Sequence, residues 1–240
     1  MGSVFRQNVD RLVACGLFFG GSAIVGAFMC TYTANANCFD FSKAPGAARL
    51  IPPNTLSWID EPLRPDSPIR WHRQAYVKAA TGDSSENINH GLVKAELPRS
   101  VPSLIEALKD HNNLKSPKAT IVETVEVSEP SRWIKNIRFE VNPFPFVYVR
   151  WQERWCFFAR EMPSADHAKP QKMWLINYEK VDGTSHISHL CGSIELVSLA
   201  DADRSEITYY EQVRATNRTA QDTLAGLRGT VETLLKVTKP

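Results

Sequence analysis

The chain has 240 residues, 43% of them hydrophobic and 22% charged, with 12 Gly and 15 Pro, a profile that excludes collagen-like, low-complexity and wholly disordered classes. Its 28 Lys and Arg stand against 26 Asp and Glu, a formal net charge of +2. No concentrated basic field exists to drive it onto nucleic acid or an anionic membrane surface.

The first feature is a leader at 1–36. Arg6 and Arg11 precede an uncharged run from Leu12 to Thr33, and Ala34-Asn35-Ala36 follows it with the small-x-small pattern of a signal-peptidase site. The run is also long enough to cross a bilayer as a helix. The reading is a signal peptide cleaved after Ala36, with an uncleaved anchor as the alternative; in both cases the body is exported, periplasmic or secreted. Membrane contact is then limited to the leader, if it is kept. Leu12-Val13-Ala14-Cys15 opens the apolar run, whereas a lipoprotein box must follow it, and Arg6 stands where a myristoylation signal has Ser or Thr. Beyond the leader remain Cys38, Cys156 and Cys191 with no CxxC spacing. Cys156 and Cys191 are the pair to test for a bridge, against the reading that both are small buried apolar groups.

Residues 37–68 hold Pro45, Pro52, Pro53, Pro62, Pro65 and Pro68, which remove backbone donors and favour an extended tether. The folded domain is expected at 69–240. Ile69 to Ala80 and Ile88 to Leu97 are strand-like, with turn chemistry at Thr81 to Ser85. Ser100 caps a short helix that has Pro102 in its first turn and Val101, Leu104, Ile105 and Leu108 at helical spacing. Ala119 to Val127 and Trp133 to Val141 form a hairpin turning at Glu129-Pro130-Ser131. Strand-like runs follow at Phe146 to Arg160, Lys172 to Val181, Leu190 to Leu199 and Glu206 to Ala215. The last segment, Asn217 to Val237, stripes Ala220, Leu224, Leu227, Val231, Leu234 and Leu235 along one face of a helix meant for a sheet. Gly226 and Gly229 inside it each cost about 1 kcal/mol relative to Ala, tolerable where the helix needs bare backbone beside an open space or where packing is close.

This order of elements resembles the helix-grip fold of the START-like (SRPBCC) superfamily, which includes polyketide cyclase and dehydratase-like proteins. Leu97 to Leu104 resembles the entry to that fold's short helix and Leu108 to Asn113 its end. Pro143-Phe144-Pro145, Glu153-Arg154-Trp155, Trp174 to Tyr178, Val181 to Thr184 and Gly192 to Leu196 resemble later landmarks, with Glu153 in place of the commoner Asp and Ile194 in place of an aromatic residue. The similarity runs from about Ile88 to Lys236. It implies an α+β fold in which a curved antiparallel sheet wraps a long C-terminal helix, leaving a cavity that accepts lipids or other apolar molecules.

Independently, an ideal strand puts Val149, Trp151, Glu153, Trp155 and Phe157 on one face, the better wall for an apolar ligand. Leu175, Ile194, Leu196 and Tyr209, with Leu224, Leu227 and Val231 of the helix, complete the expected ligand-binding set. Glu153 is the one carboxylate on the aromatic face. In an apolar pocket it can act as acid or base, but a pair with Arg150, Arg154 or a base on the next strand is the plainer reading.

His189 and Cys191 point to one face of a strand and His186 to the other, with no nearby carboxylate to complete a set, so no metal site is expected, and no motif requires a cofactor. The basic-aromatic pairs Arg70-Trp71, Arg132-Trp133, Arg150-Trp151 and Arg154-Trp155 read as buried Trp beside solvated Arg, not as base-stacking platforms. The function expected is therefore noncatalytic binding of a hydrophobic small molecule or lipid outside the cytoplasm. The alternatives are a cyclase- or dehydratase-like enzyme using Glu153, and an envelope interaction module with a filled core and an unspecified protein partner.

Overall fold

The computed structural model describes residues 57–65, 67–77, 88–114, 119–129, 132–144, 147–162 and 171–238; the leader lies outside them. The elements are β1 (Trp58–Asp60), β2 (Arg70–Val77), β3 (Asn89–Leu97), α1 (Val101–Lys109), β4 (Ala119–Glu129), β5 (Arg132–Phe144), β6 (Val147–Met162), β7 (Gln171–Gly183), β8 (Ile187–Ser198), β9 (Ser205–Ala215) and α2 (Ala220–Val237). The strands make one antiparallel sheet in the order β1-β2-β3-β9-β8-β7-β6-β5-β4. It closes its middle by pairing β3 with β9, so that Leu97 lies opposite Ser205 and Asn89 opposite Val213. The α+β helix-grip architecture implied by the resemblance is present.

Local chemistry explains the helix ends. Ser100 accepts a bond from the Ser103 backbone and Pro102 sits in the first turn of α1, where its missing N–H is no loss. Thr219 and Asp222 form a reciprocal capping box at α2: the Thr219 N–H donates to Asp222 Oδ2 at 2.8 Å and the Asp222 N–H donates to Thr219 Oγ1 at 3.1 Å. Thr219→Ala is expected to lower stability by about 1 kcal/mol, read as a shifted urea midpoint at unchanged slope. At the other end of α2, Arg99 Nε donates to the Thr238 carbonyl and Arg99 Nη2 to that of Leu235, tying the helix terminus to the entry of α1.

The stripe of α2 packs on β3, β2 and β9, burying Leu224, Leu227, Val231 and Leu234. They join Val93, Leu97, Leu104, Leu108, Phe157, Ile176, Ile194, Leu196 and Ile207 in one core. Sheet curvature comes from register shifts between Ile121 and Glu123, Val141 and Phe144, Gln152 and Glu153, and Ile187 and His189; a bulge inserts an unpaired residue and bends its strand.

Three expectations change. The sheet begins earlier than Ile69: Trp58–Asp60 pairs with Ala75–Val77. Proline-flanked sequence is compatible with an edge strand, because one side of an edge strand needs no donors. Cys156 is disulfide-bonded and Cys191 is free, so the two are not joined to each other, and the partner of Cys156 lies outside the described residues. Leu175 alternates with Ile176 and Tyr178, both members of the core under α2, and so takes the opposite face of β7; it is buried there, away from the cavity described next.

Candidate functional site

Helix α2 rests on the β2, β3 and β9 side of the sheet, and a cavity of about 760 Å3 opens between its other flank, the turn after α1 and the concave face of β5 to β9. The period of two along β6 aims Trp151, Glu153 and Trp155 into it together. Phe139 stacks on Trp151 at 5.1 Å between centroids, and Trp155 stacks on Tyr178 at 4.3 Å. Leu190 and Val213 extend the apolar wall, and α2 faces it with Leu227 and the small residues Gly226, Gly229, Thr230 and Thr233. A methyl group added at Gly229 would meet no atom within 4 Å. Gly229 thus borders open space, the first of the two roles considered for these glycines, whereas a methyl group at Gly226 would come within 3.2 Å of Arg218 Nη2.

Polar groups gather at the aromatic end. Glu153 is buried and accepts one hydrogen bond on each oxygen, from Trp151 Nε1 at 2.6 Å and Trp155 Nε1 at 2.8 Å. Burial raises its pKa to about 7; the two indole bonds pull down against that, Glu211 pushes up and Arg218 pulls down. The expected pairing with a neighbouring arginine does not occur. Arg154 turns to the other face and donates to Asn136 Oδ1, and Arg150 pairs with Glu140 at 2.5 Å.

Glu211 of β9 accepts from the Tyr178 hydroxyl at 2.8 Å and from Arg218 Nη2 at 3.0 Å. Burial pushes both Tyr178 and Tyr209 above the ordinary phenol range. His111 lies edge-on to Trp155 with centroids 4.5 Å apart. Its Nδ1 faces the Lys109 carbonyl at 3.2 Å, so that nitrogen carries the proton, and Nε2 makes no hydrogen bond. Burial, helped by the nearby Lys135 ammonium, lowers the His111 pKa to about 3.

Of the residues expected from sequence, Trp151, Glu153, Trp155, Tyr209 and Leu227 line the cavity. Phe157, Ile194, Leu196, Leu224 and Val231 are buried in the close-packed core instead, and Val149 is half-buried outside the lining. Sequence reasoning missed Tyr178, Glu211, Arg218 and His111. Glu211 had a readable signal, since it continues the alternation Ile207, Tyr209, Glu211, Val213; Arg218 had none, because only the turn into α2 brings it back over β9.

Cys191 lies 3.6 Å from His189 Nε2 and receives the Gln212 amide at 2.8 Å, and no group of three metal-ligating side chains occurs among the described residues. In the basic-aromatic pairs at 70–71 and 154–155 the tryptophan is buried, so its ring is not offered to a nucleobase.

No protein-family model and no curated protein matches the chain. Solved structures similar to it include the lipid transfer and protein localization domain of human StarD13, 10% identical over 77% of this chain and 90% of that one at a TM-score of 0.48. A START superfamily protein from Mycobacterium smegmatis is 14% identical over 62% of this chain and 96% of that one at 0.37. Norcoclaurine synthase from Thalictrum flavum is 12% identical over 64% and 87% at 0.36.

Proposed function

We propose that this helix-grip protein holds a hydrophobic small molecule or lipid between its sheet and α2, and that it does so outside the cytoplasm. The observation that carries the reading is the cavity of about 760 Å3 walled by aromatic and aliphatic side chains. Each 100 Å2 of apolar ligand surface moved there from water contributes about 2.5 kcal/mol. The cavity weighs against the interaction-module alternative, which depended on a filled core.

Export is supported by the leader's composition and by the disulfide at Cys156, a bond that persists in oxidising compartments. Among the described residues no helix is long and apolar enough to cross a membrane.

Native mass spectrometry of gently extracted protein is the test, and a copurifying apolar molecule is the expected result. A chain that is empty and takes up nothing from a lipid panel overturns the reading. Gly229→Trp supplies the control. The new side chain enters open space at a residue where Gly is itself unfavourable in a helix, so ligand affinity should fall at least about tenfold while the thermal midpoint does not fall.

The Glu153 carboxyl, with its pKa near 7 in the cavity, favours a second reading as the acid or base of a cyclising or dehydrating enzyme. Turnover of such a substrate that survives Glu153→Gln would reject it.

A further inference from the structure

Among the described residues the charges lining the cavity do not balance. Glu211 is matched by Arg218, and His111, its pKa lowered to about 3, brings no charge near neutrality. Among the described residues no Lys or Arg bonds or ion-pairs to Glu153, which is left with two indole N–H groups and the more distant field of Arg218. An ionised carboxylate has about four acceptor positions, so two remain for something inside the cavity. Around it stand Phe139, Trp151, Trp155 and Tyr178, stacked in the pairs Phe139–Trp151 and Trp155–Tyr178.

Each ligand class meets this end of the cavity differently. An anion faces the unmatched charge of Glu153. A neutral hydroxyl can donate to Glu153 but leaves its charge buried and uncompensated. A cation supplies the missing charge.

We propose that the cavity takes an apolar ligand bearing an ammonium group, seated against Glu153 and the aromatic rings beside it. The inference rests on the cavity reading above and narrows it. It also gives a carboxyl at a buried position a role: the cation, when present, stabilises the charge that burial alone disfavours.

Proton linkage follows. The groups facing Glu153 are the Trp151 and Trp155 indoles of its own strand, Tyr178 of β7, Tyr209 and Glu211 of β9, Arg218 before α2 and His111 after α1. The empty cavity holds Glu153 with a pKa of about 7. Below that a proton occupies the site and a permanent cation must displace it; above it no proton competes. Affinity for a quaternary ammonium therefore rises with pH across neutrality.

The test titrates the purified protein with decyltrimethylammonium, decanol and decanoate below their micellar concentrations, by calorimetry at pH 6 and pH 8. The ammonium should bind about tenfold or more tightly than decanol at pH 8, and weaken by about tenfold at pH 6, where the proton displaced from Glu153 passes to the buffer and makes the measured enthalpy buffer-dependent. Decanol should show no such pH dependence. Glu153→Gln, its fold checked by circular dichroism, should abolish both the ammonium preference and its pH dependence.

If decanol or decanoate binds as tightly as the ammonium at pH 8, or the ammonium's affinity is the same at both pH values, the inference fails while the cavity reading stands. If none of the three binds, the cavity reading fails and takes the inference with it.

Discussion

Glu153→Gln is expected to change how stability depends on pH, by about 2.5 kcal/mol between pH 5 and pH 8 relative to the unsubstituted chain. Glu153 titrates near 4.5 when exposed and near 7 when folded. Between those values the folded chain holds a proton that the unfolded chain has released, so stability falls as pH rises through the window. Gln carries no such proton and removes the slope. It also has a single oxygen for two indole donors, leaving one N–H of Trp151 or Trp155 unmatched at a pH-independent cost of about 1–3 kcal/mol.

The variant should thus be the less stable protein at pH 5 and recover the deficit by pH 8. His111 works in the opposite sense. Its folded pKa of about 3 lies below 6.5, so stability is lost as pH falls below the unfolded value; both proteins share this contribution and it cancels in the comparison. Urea unfolding of the pair at the two pH values gives the answer, and a constant gap would show that Glu153 is not buried as described.

Gly192→Ala is expected to cost about 3 kcal/mol or more, the upper range for overpacking. Gly192 pairs with Tyr178 on one side and Glu211 on the other. The Tyr178 ring lies across Gly192 so that its hydroxyl reaches Glu211, and a methyl group at position 192 would occupy the space of the phenol oxygen and of Cζ, while also crowding the Tyr210 carbonyl. The backbone carbonyl belongs to a paired strand and cannot retreat cheaply. Tyr178 must leave, which breaks its bond to Glu211 and its stack on Trp155. Denaturation should therefore show a lower midpoint, and tryptophan emission should shift as Trp155 loses its covering ring. A loss below about 1 kcal/mol would mean that the ring is not held where the structure puts it.

Much of the architecture could be read from residues alone. The hydrophobic stripe of α2, the cap at Ser100 and the alternation on β6 are each decided within a few residues, so the helices and eight of the nine described strands appear where periodicity places them. β1 escaped because three residues among prolines carry no periodic signal. Leu175 was assigned to the wrong face of β7, since a strand with both faces apolar has no alternation to say which side meets the helix.

The cavity's aromatic wall was likewise visible in Trp151, Glu153 and Trp155, because three side chains at spacing two share a face of a strand that carries no bulge of its own. Its electrostatics were not. Glu153 stands among arginines in sequence yet meets none of them, and Glu211 finds Tyr178 from 33 residues away. Such partners are chosen by strand register and by the bend of the sheet, which are settled only when distant segments pair. Local pattern determined what each segment is and which side it turns inward; the tertiary structure decided which polar groups meet there and how much room α2 leaves unfilled, since both depend on where backbones lie relative to one another.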